Sequence, residues 1–528
     1  MAHTKFFGSQ VGGSSVINYS YTDMPWKLMM WDVRYFFKFA WYLPWIVWPV
    51  TPCDGGDFDE LSLTAPNLWC IFVHIILVFL QLTFLLALPL AFVLPVWLFL
   101  AALAAFLLVN SLLCRCLNGG TITYTSDPRY APALREHQHE QWIFVNGVAV
   151  GEAWLMSNIN RLALTFKRPV IGVHNRTSGI IFDVIECLIQ RNFGLATSDI
   201  RQAYKIIKEK LYNPQYSKVV FILHSQGGIE GGLVLDWLLQ ELPQDLLAKL
   251  EVYTFGNAAN HFNNPHRSAA TQDEERTHPD TAFQKSNDLA QGPITDSPVE
   301  LKTPIDKRVS AIGGSSATSK VDPTDNPKAL SSVPNGQSTT YKTTTVPASE
   351  RVIGYVEHYA HTTDFVALWG VLHFVTNERA SPLMPRFIGR VFSRDSPRGG
   401  HQFCQHYLDG MFPLKKDAKG EFTGCADSNE FMESVVELAP KGNEHEVIRE
   451  GFERSLGLLE LDGGQAGGSK NEVAVHGSFH EDKDEVQDGQ VRVKDLSRLW
   501  LYRNGQSPSE IPRWLRRDED GVVRGATM

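Results

Sequence analysis

The strongest pattern along the chain is a long interval without charge. From Leu61 to Cys114 there is no Asp, Glu, Lys or Arg. About 20 apolar residues span the hydrocarbon core of a bilayer as a helix, so this interval is long enough for two. Pro89 and Pro95 fall in its middle, and proline interrupts a helix interior. The pattern predicts helices over Leu68–Leu88 and Val96–Leu113, joined by Pro89-Leu-Ala-Phe-Val-Leu-Pro95. They would form two transmembrane passes or a hairpin dipping into one leaflet, with both flanks on the same side. Basic residues lie on each flank (Lys27, Arg34 and Lys38 before, Arg115, Arg129 and Arg135 after), which assigns that side to the cytosol. Residues 1–20 are polar and lack the apolar core of a cleavable signal peptide.

Upstream, Trp26, Trp31, Trp41, Trp45 and Trp48 crowd with Tyr35, Phe36, Phe37, Phe39 and Tyr42. Residues 24–50 are therefore expected at the headgroup level, or else as an aromatic plug over a soluble domain. Cys114 and Cys116 stand at the membrane edge as candidates for S-palmitoylation.

After residue 120 the period changes. Gln141–Val145, Pro169–Val173, Lys218–Leu223 and Leu250–Phe255 are short β-branched or aromatic runs bounded by turn residues. Between them, Ser178–Asn192 gathers Ile180, Ile181, Val184, Ile185, Leu188 and Ile189 on one helical face, and Asp199–Leu211 does the same with Ile200, Ala203, Tyr204, Ile207 and Leu211. Alternating strands and helices, with near-continuously apolar strands, imply an α/β fold with a doubly wound, mostly parallel sheet.

Residues 266–350 are rich in Ser, Thr, Pro, Asp and Lys, with Phe283 and Tyr341 as their only aromatics; such a stretch is expected to be a disordered insertion. The organisation is then an N-terminal segment (1–60), the apolar hairpin (61–114), a first core part (121–265), the insertion, a second core part (351–462), a mobile polar loop (463–490) and a C-terminal segment (491–528).

Composition narrows the function. With 528 residues, 44% of them hydrophobic, the chain can bury a large core. A net charge of −9 argues against a nucleic-acid binder. Seven scattered cysteines read as thiols rather than a disulfide framework. No dinucleotide fingerprint or phosphate loop is present. His137-Gln-His139-Glu140 lacks a distant third ligand, so no metal or organic cofactor is expected. The Asn18 and Asn175 sequons would stay unmodified in a cytosolic domain.

The chemistry-bearing signal is Lys218–Leu223 running directly into His224-Ser225-Gln226-Gly227-Gly228 and then a helix over Ile229–Leu242. A Ser between strand end and helix start, with Gly two residues on, has the setting of a nucleophile elbow. The stretch is similar to the Gly-His-Ser-Gln-Gly of lipases and serine esterases, departing from it at Leu223. Residues 141–260 and 351–412 resemble that branch of the α/β-hydrolases. The resemblance extends to membrane-anchored proteins of filamentous fungi, in runs like His174-Asn-Arg-Thr-Ser-Gly-Ile-Ile-Phe-Asp183 and Gln405-His-Tyr-Leu-Asp409.

The resemblance implies partners in the order Ser, acid, His. Val352–Tyr355 reads as a strand leading to Asp364-Phe365-Val366, so Asp364 is the expected orienting acid, with Glu357 in reserve. A strand over Phe387–Phe392 leads to Gly399-Gly400-His401 and a helical run Gln402–Met411, so His401 is the expected base and His406 the alternative. His224, His358, His361 and His373 are expected to be structural or exposed. The oxyanion donors would be the backbone N–H of Gln226 and of Val148, with Gly147 as alternative to the latter. The expected partners are the bilayer and an acyl-ester or lipid substrate, with protein partners left open. The competing expectation is a scaffold that keeps the fold and has lost catalysis.

Overall fold

The computed structural model describes residues 3–7, 24–50, 53–265, 267, 351–376, 387, 389–396, 398–438 and 492–508. The expected insertion (266–350, apart from Arg267) and polar loop (463–490) lie outside the described residues, as do residues 439–462 of the second core part.

Six parallel strands carry the sheet: β3 (Glu140–Val145), β4 (Val170–Val173), β5 (Lys218–His224), β6 (Leu250–Phe255), β7 (Tyr355–His361) and β8 (Arg390–Asp395). β2 (Thr123–Thr125) closes one edge antiparallel to β4. At the other edge β1 (His3–Phe7) runs antiparallel to β8 and parallel to β11 (Val436–Leu438). The spatial order is β11-β1-β8-β7-β6-β5-β3-β4-β2. A separate hairpin pairs β9 (Leu414–Lys416) with β10 (Phe422–Cys425).

Because side chains alternate across a strand, each central strand feeds two cores. Val220 and Ile222 of β5 join Trp142, Phe144, Tyr253 and Phe255 on one face. Phe221 and Leu223 join Ile143, Val145 and Val252 on the other. The first face is covered by α4 (Glu152–Phe166), by residues 403–412 and by the C-terminal turns Val493–Leu496 and Leu499–Gly505. The second is covered by α5 (Ile180–Phe193), α6 (Ser198–Tyr212) and α7 (Gly227–Glu241), with the short α8 (Gln244–Leu247), α9 (Phe365–Trp369) and α10 (Val371–Thr376).

Two sequence expectations are displaced, and the burial of α5 adds a further finding. Residues Val352–Gly354 are not strand: Val352 N–H bonds the Pro265 carbonyl, and the side chains of Val352 and Ile353 are buried in an irregular connection, so β7 starts at Tyr355. Likewise Phe387 makes one isolated bridge to Phe262, and β8 starts at Arg390. In α5 the apolar stripe is not the buried face. Asp183, Cys187, Gln190 and Arg191 are buried, whereas Ile185 is exposed and Ile181, Val184, Leu188 and Ile189 are half-buried.

The apolar interval forms α2 (Ala65–Ala87) and α3 (Val96–Leu117), joined through a tight turn at Leu88–Phe92. Both are long and apolar enough to cross a membrane. The aromatic segment forms α1 (Pro25–Phe39) and a following turn, Ala40–Ile46. Part of it packs on the domain and part is exposed. Phe36 packs edge-on to Phe365 and Tyr35 tilts onto His373, while Trp26, Trp31, Phe37 and Trp41 face outward. A buried ion pair, Asp32 to Arg191 of α5 at 2.8 Å, fixes α1 to the domain. Cys114 is buried and Cys116 is exposed.

Candidate active site

β5 ends at His224, and Ser225 turns the chain into α7 with φ +58°. A left-handed φ on a non-glycine residue costs roughly 1–3 kcal/mol and needs neighbours that enforce it. Here the Ser225 N–H bonds the Phe255 carbonyl, and its own carbonyl accepts from Gly228 and Ala258. Two glycines make room for the turn: a Cβ on Gly147 would lie 2.4 Å from Ser225 Cβ, and one on Gly227 would lie 2.6 Å from the Val145 carbonyl oxygen.

The residue two before Ser225 faces α7. Leu223 fits because Gly231 sits opposite, where an added Cβ would meet Leu223 Cδ1 at 2.2 Å. The glycine on the helix thus makes the room that Leu223 takes, and the two elements approach closely.

Ser225, His401 and Asp364 converge. His401 Nε2 is 2.9 Å from Ser225 Oγ, and its Nδ1 is 2.9 Å from Asp364 Oδ2. Asp364 Oδ2 also accepts from the Tyr407 hydroxyl at 2.6 Å, and Oδ1 accepts from Val366 N–H at 2.8 Å. The same carboxylate thus orients the imidazole and caps α9. Burial raises its pKa, but the adjacent imidazole and these donors outweigh that and hold it below the usual carboxylate value. All three groups are buried: Ser225 is 3% exposed and His401 7%.

His406, the alternative base, is turned away. Its Nε2 donates to the Pro49 carbonyl at 2.9 Å and its Nδ1 accepts from Gln402 N–H, so neither nitrogen is open to the serine. His406 lies within a π-helical turn, Phe403–Leu408, whereas His401 precedes that turn. Glu357, the reserve acid, lies in β7 and accepts from the Arg498 N–H and the Tyr359 hydroxyl, clear of the imidazole. His224 is structural but does not diverge from the site: its Nε2 donates to the His401 carbonyl at 2.8 Å, and burial lowers its pKa to about 3, keeping it neutral. His361 stacks edge-on to Tyr407, and His358 bonds Thr254.

The loop Asn146-Gly147-Val148 lies against Ser225, as the Gly147 approach requires. Asn146 holds Asn175 through both its amide and its carbonyl oxygen, and Asn175 in turn bonds the Gln226 side chain, which donates to Gln190. Both ends of the Gln226 side-chain amide are thereby engaged. Just beyond Val148, Ala149 adopts φ +63° and is held from two sides. Its N–H donates to Asp183, and its carbonyl accepts from His74 of α2 at 2.8 Å.

Tyr407, Asp183 and His74 were not anticipated. His74 had a signal of its own, being one of few polar residues in the uncharged interval, where such groups seek polar partners. The loop bearing His401 is roofed by the aromatic segment: Gln402 Nε2 donates to the Ile46 carbonyl and Gln405 Nε2 to those of Pro49 and Val50. Among the described residues no group of three or more His, Cys, Asp or Glu is arranged to hold a metal ion; Glu140, in the motif weighed for that role, pairs with Arg168 at 2.6 Å. No family model, curated protein or solved structure matches the chain.

Proposed function

We propose that the chain is a membrane-associated serine hydrolase of carboxylic esters, with lipid esters as the substrate class, akin to the lipase and serine-esterase branch of the α/β-hydrolases. The observation that carries this reading is the unbroken relay from Ser225 Oγ through His401 to Asp364. In that arrangement the Ser225 oxygen attacks the ester carbonyl while its proton passes to His401 Nε2. The imidazolium formed is stabilised by Asp364, and the developing oxyanion by the N–H groups of Gln226 and Val148. His401 then protonates the leaving alcohol. A water molecule, deprotonated by the same nitrogen, releases the acid from the acyl-enzyme. The apolar hairpin supports the lipid assignment, since an enzyme held at a bilayer meets amphipathic substrates at high effective concentration.

In detergent or vesicles, wild type is expected to hydrolyse short p-nitrophenyl esters and to label with a fluorophosphonate probe, and Ser225→Ala to lose both. A folded wild type that takes up no probe overturns the hydrolase reading in favour of a non-catalytic scaffold.

His74→Phe keeps an aromatic ring but removes the bond to Ala149. It is expected to lower kcat about tenfold, less than the 10²–10³ lost when an oxyanion donor itself is deleted, with KM nearly unchanged. His74→Gln, whose amide can still donate, should recover most of the rate.

A further inference from the structure

We propose that α2 and α3 do not cross the bilayer, and that the chain sits in a single leaflet through one continuous surface made of the hairpin, α1 and α5. This rests on the membrane reading of the two apolar helices and is independent of the catalytic triad.

The first observation is how far the globular domain follows the hairpin. In α2 the residues facing inward are Asn67, Cys70, Val73, His74, Leu77 and Gln81. Gln81 Nε2 donates to Asn110 of α3 and to the Ser178 carbonyl, and Asn110 also donates to that carbonyl. Further along, Phe84 and Phe106 stack at 3.9 Å, and both meet Phe182 of α5 edge-on. Domain contact thus continues from Asn67 to Phe84. At 1.5 Å per residue that is about 25 Å, most of a hydrocarbon core of about 30 Å. A hairpin crossing along the bilayer normal would draw the polar loop Asn175-Arg-Thr-Ser178 to the far side of the membrane.

The second observation is the length left over. None of residues 85–105 is buried. The projecting part of α3, from Val96 to Ala105, extends about 15 Å, which matches half the hydrocarbon thickness and so one leaflet.

The third is the inverted α5. Ile185 and Phe193, with Leu195 just beyond, are exposed like Trp26, Trp31 and Phe37 of α1 and Phe72 and Phe79 of α2, and α5 packs against both of those helices. A helix with Asp183, Gln190 and Arg191 buried and isoleucine outward suits a lipid environment rather than water. Lys27, Arg34 and Lys38 of α1 lie over neighbouring aromatic rings, where long basic side chains can reach the headgroups.

The test uses the full chain, with Cys53 and Cys116 replaced by Ser and one reporter cysteine added, bound from outside to sealed phosphatidylcholine–phosphatidylserine vesicles. Phe92→Cys at the hairpin tip is expected to react with a membrane-impermeant maleimide neither when it is added outside nor when it is trapped in the lumen. A bimane on Phe92→Cys should lose its fluorescence to a nitroxide placed deep in the acyl chains, and one on Ile185→Cys to a shallow nitroxide. A bimane on Lys416→Cys should respond to neither. Labelling of the tip from the lumen overturns the proposal in favour of a crossing hairpin. An unquenched Ile185→Cys overturns the inclusion of α5. Failure of the chain to sediment with vesicles after alkaline carbonate overturns the membrane reading beneath it, whatever the hydrolase assay gives.

Discussion

Asp364→Asn is expected to lower kcat for a short ester about 10⁴-fold while leaving the protein folded, a loss on the scale known for the buried aspartate of serine-protease triads. The size follows from the tautomer. Asp364 Oδ2 accepts from two donors, His401 Nδ1–H and the Tyr407 hydroxyl. An asparagine can keep its oxygen on the Val366 N–H side, where Oδ1 caps α9, so the helix survives. Its amide N–H₂ then points at His401, and the imidazole relieves the clash by moving its proton to Nε2. A protonated Nε2 cannot take the Ser225 proton. Fluorophosphonate labelling should slow in parallel with kcat, and circular dichroism should be unchanged. Activity within tenfold of wild type would reduce Asp364 to a helix cap and break the relay on which the hydrolase reading stands. Tyr407→Phe removes one donor without inverting the tautomer, so it should sit well above Asp364→Asn in rate.

What could be read in advance depended on how local the signal was. Ser225 was legible because strand, turn and helix are contiguous, and each leaves its own mark between Lys218 and Leu242. His401 and Asp364 were legible only through chain order and flanking residues; their contact is a property of the sheet, which sets β7 one strand away from β5, across β6, with β8 beside β7. Tyr407 was not legible, because a tyrosine inside Phe403–Leu408 reads as core until the wide turn is seen to aim its hydroxyl at Asp364.

The sheet shows the same division. Its parallel centre could be read from apolar runs. β1 could not, because His-Thr-Lys-Phe-Phe carries no alternation and is strand only through its pairing with β8 and β11, hundreds of residues away. For α5 the 3.6-residue period was correct, but a period says that one face is apolar without saying which way that face points. Leu223 looked like a defect in the elbow because the compensating Gly231 stands eight residues further on, on the facing helix.

The largest expected loss of stability lies at the opposite end of the sheet from the serine, at Glu251→Gln. A carboxylate inside β6, fully buried, needs a cation, and the C-terminal segment supplies it. Arg498 donates through two nitrogens to Glu251 Oε1, at 3.0 and 2.7 Å, while the hydroxyls of Tyr253 and Tyr502 donate to Oε2. Burial raises the Glu251 pKa, but Arg498 and Lys218 with these bonds overcome it and bring the value down to about 2. Removing the charge takes the carboxylate away from a buried guanidinium, a change that costs about 3–5 kcal/mol, and it should free residues 492–508 from the sheet. Urea unfolding followed by tryptophan fluorescence at pH 7 would show the lowered midpoint, and trypsin should cut at Arg498 or Arg503 in the variant before the rest of the chain opens. The pH dependence has a definite sign. A carboxylate whose folded pKa lies below its unfolded value of about 4.3 stabilises the fold above that unfolded value and loses this contribution as pH falls toward about 2. Wild type should therefore lose stability more steeply than Glu251→Gln between pH 5 and pH 2, the two converging at the acid end. A parallel pair of curves would mean that the Arg498 contact contributes nothing to holding the C-terminal segment against the sheet.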